Sequence, residues 1–535
     1  MNERTVSRSA DAVVVGAGPV GMTAAALLAS RGINVIVLEM NAGTSNEPKA
    51  ISIDDEALRT YQQAGIDEAV SSIIVPGTGT RYYDSENNPV FQARGAVPYR
   101  LGHPFKNPFA QPDLERVLAQ SLAEHELVSV EYNTRVVDVD QDALNAYLTV
   151  EGPQGKETIS ALYVLGADGG RSVVREKTMD NAMSGRSYSD VWLVADTLED
   201  PHTERYGMHH GDPRRPHVIV PGLDGRCRYE FRLFEGEGKP GDAPDIELVK
   251  KLVAPYREIE PHQLERSVNY RFNAVNADSY RAGKFFVLGD AAHMMPPFAG
   301  QGLNSGIRDA ANLTWKIAEV INGKAPDSLL DTYELERKPH AAAIIAQSVR
   351  LGSVVMTTNE RVARHRDAAI KQTIASAEGL AYFEEMRYRP LAKYDSKLSL
   401  TEDAGVAIGQ PLVFDAKSRR TARLDHVVGN GWALFGADVT VEDWEQVKEL
   451  ARVFGASRWY IPFGDVQPRD AQTDGLLIDL DGSLYREFER FGGKFVLVRP
   501  DHFIAAVFSP EQTTDLLTQA RTLQLPDQVL ATTPR

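Results

Sequence analysis

The sequence predicts an α/β chain in which a Rossmann-like dinucleotide-binding unit is interrupted by an antiparallel β-sheet and followed by a second α/β unit. Three observations carry this. Apolar runs of strand length end at glycine-rich turns after Val15, Leu165 and Leu288. An alternating, strand-rich stretch separates the second turn from the third, and from about Ala404 strands alternate again with helical stretches. At 535 residues the chain also exceeds what one hydrophobic core supports.

Composition narrows the function classes. With 43% hydrophobic and 25% charged residues the chain is globular, and a net charge of −16 disfavours nucleic acid and anionic membranes as partners. The N-terminus carries Glu3, Arg4 and Arg8, and glycines break its first apolar run, so it does not read as a secretory signal. No stretch approaches the roughly 18 apolar residues of a membrane helix, and the expected location is cytoplasmic. Cys227 is the single cysteine, which rules out an intrachain disulfide, a cysteine-rich metal site and a CxxC pair. No metal site is expected, and any redox chemistry requires a bound cofactor.

Asp11 to Glu39 contains strand, glycine turn, helix and strand in that order. The strand Ala12 to Val15 leads into Gly16-Ala17-Gly18-Pro19-Val20-Gly21, a full GxGxxG. The first glycine permits the turn, the second lets the backbone approach a pyrophosphate, and the third lets the helix pack on the strand. The helix from Pro19 to Ser30 then directs its positive end at the phosphates. Glu39 ends the next strand, Val35 to Leu38, where a carboxylate accepts from both ribose hydroxyls and disfavours a 2′-phosphate. This much does not separate NAD from FAD.

Two later motifs do. Tyr163 to Arg175 reads YVLGADGGRSVVR, and Phe285 to Asn304 reads FFVLGDAAHMMPPFAGQGLN. GxGxxG, DGxxSxxR and GDAAHxxPPxxGQGxN in this order resemble the single-component FAD-dependent aromatic hydroxylases, which have the para-hydroxybenzoate hydroxylase fold. The resemblance implies that Gly16, Ala17, Gly18, Pro19, Gly21 and Glu39 hold the ADP half of FAD. It implies that Asp168 and Gly169 serve FAD and the passing nicotinamide cofactor, with Arg171, Ser172 and Arg175 completing the motif. It also assigns Gly289 and Asp290 to the ribityl chain, Gln111 to the flavin, and the Pro297 carbonyl to the substrate phenol and reaction centre. In Pro48-Lys49-Ala50 many relatives carry arginine where this chain has Lys49, which keeps the charge but loses the planar fork.

The residues 289–304 support a physical reading of their own. Asp290 accepts from a sugar-like chain; Pro296 and Pro297 force an extended path that presents carbonyls. Gly300 and Gly302 let the backbone lie flat against a planar ring. The helical spacing that follows, from Leu303 and Asn304 onward, aims free amides and partial positive charge at the pyrimidine edge of a flavin. His293 is read as bracing this turn, not as a base.

Between the motifs, the alternation in Cys227 to Phe234 places Tyr229, Phe231 and Leu233 on one sheet face and Arg228, Glu230 and Arg232 on the other. Candidate substrate contacts are His210, Tyr229, Arg232 and Tyr270; Asp54 either approaches the pocket or caps the helix from Glu56 to Gln63. The tail resembles the thioredoxin-like C-terminal domain of the phenol hydroxylase branch, without a cysteine for thiol chemistry, so packing or homodimerisation is expected of it. The expected domains are 1–184 with 273–395 for FAD, 185–272 for substrate, and 396–535 for the tail.

The implied activity is hydroxylation of a phenol ortho or para to its hydroxyl, using NADH or NADPH and O2, through a flavin C4a-hydroperoxide. In layout the chain is closest to the group within the family that acts on 3-hydroxyphenylpropionate-like acids. Two alternatives stay open: a hydroxylase of a polycyclic aromatic polyketide, and a catalytically silent FAD-binding protein. A plain NAD dehydrogenase leaves Asp168, Asp290 and the proline segment without a purpose.

Overall fold

The computed structural model describes residues 6–46, 49–464 and 473–523; Glu3, Arg4 and Pro48 lie outside these. The chain forms two compact units, one from residues 1–99, 103–310 and 341–390, the other from residues 100–102, 311–340 and 391–535.

The first unit contains two eight-stranded sheets. In one, Arg8–Val15 lies between Val35–Leu38 and Gly155–Gly166, all parallel, and Phe285–Val287 extends the parallel set beyond Gly155–Gly166. These strands are near-continuous apolar runs because both faces are covered, and their carboxyl ends carry the three glycine turns. Gly16 has a φ of +101°, and a side chain there would strike the Ala167 carbonyl oxygen at 2.5 Å. A Cβ on Gly21 would lie 2.0 Å from the Gly16 oxygen. The helix Pro19–Ala29 therefore sits directly on the turn, as the fingerprint predicts.

The second sheet is antiparallel except at one pair. Its order is His293–Met294, Leu264–Ala277, Met183–Thr197, Cys227–Arg232, His217–Pro221, Gly207–His210, Thr80–Tyr83 and Pro89–Ala93. Gly207–His210 runs parallel to Thr80–Tyr83, so the sheet draws strands from both sides of residues 185–272. Period-2 alternation sorts its faces. Leu193, Ile219, Tyr229, Phe231 and Val253 form a dry cluster on one side, which leaves their neighbours in sequence for the other.

The second unit is thioredoxin-like. Ala433–Ala437 and Ser457–Ile461 are parallel and joined through the helix Val441–Phe454, and Lys494–Val498 and Ile504–Phe508 follow as an antiparallel pair. Leu434, Tyr460 and Leu497 join a core with Trp444 and Leu516, whereas Phe435, Ile461 and Val496 join another with Leu484 and Phe488.

A buried ion cluster ties this unit together. Both Glu336 oxygens accept from the Arg499 guanidinium at 2.7 and 2.9 Å, and one also accepts from Lys316 Nζ at 2.7 Å. Arg499 spans to Asp501 at 2.6 Å, which accepts from Trp315 Nε1 at 3.0 Å. Burial alone pushes the Glu336 carboxyl up, but Arg499 and Lys316 outweigh it and hold it well below the usual carboxylate range. Glu336→Gln leaves Lys316 and Arg499 buried with one negative partner fewer, and about 3 kcal/mol of stability is expected to be lost, read from denaturant midpoints. The depressed pKa makes that contribution complete above pH 4.5 and lost as pH falls below it, so wild type and variant are expected to converge on acidification.

Candidate active site

A cavity of about 560 Å³ lies in the first unit, between the glycine turns and the second sheet. One wall holds Ala17, Gly18, Pro19, Glu39, Lys49 and Gln111; the floor holds Gly169, Gly289, Asp290, Pro297, Gly300, Gly302 and Leu303. The remaining expected residues are close behind. Gly16 and Gly21 shape the turn, Asp168 Oδ2 accepts from the Val173 and Val174 amides at 2.7 and 3.2 Å, and Asn304 is fully buried below the floor. Arg175 donates to the Ala291 carbonyl at 2.6 Å and so joins the second motif to the third.

The site fits FAD on its own geometry. A Cβ on Gly18 would meet nothing within 4 Å, and the helix it starts has no side-chain cap. Its first amides are thus left for a ligand phosphate. Glu39 is oriented by the Ala17 and Asn41 amides, both at 2.9 Å. Asp290 is exposed on the cavity wall, and the protein packed around it holds its carboxyl above the ordinary range although His293 and Lys49 oppose this. Such a carboxyl gains from hydroxyl donors. Gly302 leaves open space at the start of Gly302–Ile321.

The floor is a clamped turn. Pro296 is extended, at φ −59° and ψ 146°, as the sequence predicts, but Pro297 begins a 3₁₀ turn closed by Gly300 in the left-handed region. One lone pair of the Pro297 carbonyl therefore accepts from the Gly300 amide, at 2.8 Å. Asn304 does not face the cavity: it donates to the Gly300 and Ser52 carbonyls and accepts from the Asp54 amide. Asp54 caps Asp55–Gln63, accepting from the Ala57 amide at 3.0 Å, and is paired with Arg308. Its approach to the pocket is replaced by this capping role. His293 Nε2 donates to Asp309 Oδ2 at 2.7 Å, fully buried, in the bracing position expected of it.

Of the four candidate substrate contacts, Tyr270 alone lines the cavity. It is 47% exposed and opens onto the cavity. Tyr229 is turned away: its ring lies in the dry cluster and its hydroxyl donates to Asp200 at 2.9 Å. His210 is also on that face, stacked between Tyr83 and His217 at 4.4 and 4.2 Å. Burial and His217 press its pKa to about 3. Arg232 has the right parity but is occupied by Asp190 at 2.5 Å and by the Met356 carbonyl. The two faces alternate as the sequence predicts, and the helix Ile246–Val253 packs on the Tyr229 face and takes it from the cavity.

The cavity face presents ordered rows instead. Val268, Val194, Glu230, Val218 and His209 lie opposite one another across successive strands. Beside them run Arg266, Asp196, Arg228 and Val220. Arg228 is held by Asp196 at 2.7 Å and donates to the Lys49 carbonyl at 2.6 Å. Sequence reading missed Glu230, His209, Arg266 and Lys106. The first three follow once the buried face is known; Lys106 sits in an irregular stretch with no periodic signal.

The chain belongs to the FAD-dependent aromatic hydroxylases. The FAD binding domain family matches residues 9–348, and the HcaD C-terminal domain family matches residues 405–523. A 3-(3-hydroxy-phenyl)propionate/3-hydroxycinnamic acid hydroxylase of Mycolicibacterium smegmatis is 33% identical over 531 residues, 95% of this chain and 92% of that one. Its counterpart in Paraburkholderia xenovorans is 31% identical over 579 residues, 96% and 91% of the two chains. Among solved structures, the flavin-dependent monooxygenase PieE, in complex with FAD and substrate, matches with a TM-score of 0.80 at 20% identity, covering 98% of this chain and 100% of that one. Aklavinone-11 hydroxylase, with FAD and aklavinone, gives 0.76 at 21% identity over 98% and 99%. These two share the fold. The protein is an FAD-dependent monooxygenase, and among the described residues no single helix is long and apolar enough to cross a membrane.

Glu39→Ala is expected to weaken FAD retention about 10- to 100-fold, the worth of charge-assisted hydrogen bonds to the ribose. Flavin fluorescence released on dilution measures it, and unchanged retention would remove Glu39 from the site.

Proposed function

We propose that the protein hydroxylates a phenolic acid of the 3-(3-hydroxyphenyl)propionate kind, ortho or para to its hydroxyl, with NADH or NADPH and O2 as co-substrates. The observation that carries this reading is the single cavity shared by the glycine turns and the valine-lined sheet face. A nucleotide-sized cofactor and an aromatic ring can therefore meet in one cavity. The curated relatives support a small phenolic acid over the polycyclic alternative.

FAD, when bound, would supply the electron path from the nicotinamide to O2, one oxygen atom of which enters the ring while the other leaves as water. The chain does the rest. Glu39 and the Gly16–Gly21 turn bind the adenosine diphosphate portion, with Asp168 and Gly169 beside them. Gln111, Lys49, Gly289 and Asp290 position the ribityl region. The amides at Gly302 and Leu303, at a helix start, favour negative charge on the reduced ring. Pro297 and Tyr270 face the substrate's side. Val194, Val218, Val220 and Val268 exclude water, which keeps reducing equivalents from being lost as hydrogen peroxide. The location is cytoplasmic, and the cysteine-free C-terminal unit has a packing or homodimerisation role.

The test is NAD(P)H oxidation by the FAD-loaded protein across a panel of phenols, with hydroxylated product and peroxide quantified together. One phenolic acid is expected to accelerate oxidation strongly, with product equal to NAD(P)H consumed. FAD-loaded protein that no phenolic acid accelerates would contradict the reading.

A further inference from the structure

Lys106 is a buried lysine, 9% exposed, that lines the cavity. The other lining cations are matched by acids: Arg228 and Arg266 share Asp196, and Lys49 acts on Glu115 and Asp290. Lys106 has no ion-pair partner among the described residues. Burial pushes it down to about 8, with no carboxylate to raise it again. Beside it His209 is buried, lines the same cavity, and has an Nδ1 without a hydrogen-bond partner. Burial first, then the Lys106 charge, hold that ring neutral.

Stability does not explain such a pair. An unpartnered buried ammonium and an orphaned ring nitrogen each cost free energy, and an apolar side chain of the same length would cost less. Both defects are repaired at once by one anion: its oxygens accept from the ammonium and from the imidazole N–H.

The placement suits a substrate. Lys106 precedes the strand Asn107–Pro108, which pairs with Ser52–Ile53. Ser52 in turn lies next to the floor turn, 3.5 Å from where a Gly300 Cβ would be. The Lys106 carbonyl accepts from the Gly79 amide at 3.5 Å, and the Gly79 carbonyl accepts from the Gly207 amide at 3.1 Å, which leads to His209. Lys106 thus sits at the join between the floor turn and the end of the valine row, both of which line the cavity.

We propose that Lys106, with His209 as its hydrogen-bonding neighbour, is the subsite that binds the carboxylate of the phenolic acid and selects acids over neutral phenols. This rests on the phenolic-acid reading above.

Dissociation constants of three compounds, read from perturbation of the flavin absorbance in FAD-loaded protein, test it. They are 3-(3-hydroxyphenyl)propionate, 3-ethylphenol, which lacks the carboxylate, and 3-phenylpropionate, which lacks the hydroxyl. Wild type is expected to prefer the two acids. In Lys106→Met both acids are expected to weaken about 10- to 100-fold, with 3-ethylphenol unchanged or tighter, FAD content unchanged and thermal stability equal or higher. Lys106→Arg is expected to keep the preference for acids. If Lys106→Met loses flavin, Lys106→Gln takes its place. Wild type that prefers acids while the variant keeps the same preference would overturn the Lys106 assignment alone. Selective weakening of 3-ethylphenol would also overturn it, by moving Lys106 to the phenolic oxygen. Wild type that binds none of the three would overturn the phenolic-acid reading, and the subsite with it.

Discussion

The cavity keeps its shape because the first turns of one helix, beginning at Gly302, reach back and fasten the segments around it. Asn304 holds the Gly300 and Ser52 carbonyls and the Asp54 amide. Arg308 gathers Asp54, Glu56 at 2.7 Å and Gln301 at 2.9 Å. Asp309 receives the Gly289 amide at 3.0 Å and His293 at 2.7 Å. Three side chains within six residues thus fix both ends of the 289–304 segment and its neighbouring strand and helix. A backbone with two prolines and a left-handed glycine is otherwise free to take several courses, and these buried, charge-assisted bonds select one.

That clamp gives the floor a polarity that the opposite wall does not oppose. The floor offers backbone amides and the Asp290 carboxyl. The wall offers valines on either side of Glu230, whose carboxyl lies 3.8 Å from Arg228, and the charges of the next row are matched between Asp196, Arg228 and Arg266. An aromatic ring placed between the two meets an apolar surface on one side and a cofactor on the other. Specificity for a charged substrate must then come from the edges of the wall, where Lys106 and His209 stand.

The parts of this account that were legible in the sequence are those where backbone constraint dictates residue type. Gly16, Gly18 and Gly21 admit few alternatives at their positions, and Pro296, Pro297 and Gly300 mark a turn that no helix or strand permits. The strand and helix limits around Gly16 to Glu39 follow from the same constraint. Side-chain roles were less legible, because alternation gives two faces without saying which is covered. Tyr229 and His210 are candidate contacts by residue type, but their face packs against Ile246–Val253, and the adjacent residues Glu230 and His209 line the cavity. Asn304 and Asp54 show a related limit. A polar residue in a cofactor motif can serve the cofactor or hold the motif's backbone, and only its partners in space decide between them.

The central claim is that one clamped turn and one sheet face enclose cofactor and substrate together. An experimental structure of the protein with FAD and 3-(3-hydroxyphenyl)propionate tests it most directly. The account predicts the flavin ring against Pro297–Leu303 and the substrate ring between it and Val268, Val194 and Tyr270. A substrate bound on the Tyr229 face, or a flavin ring seated away from the 297–303 turn, would contradict it.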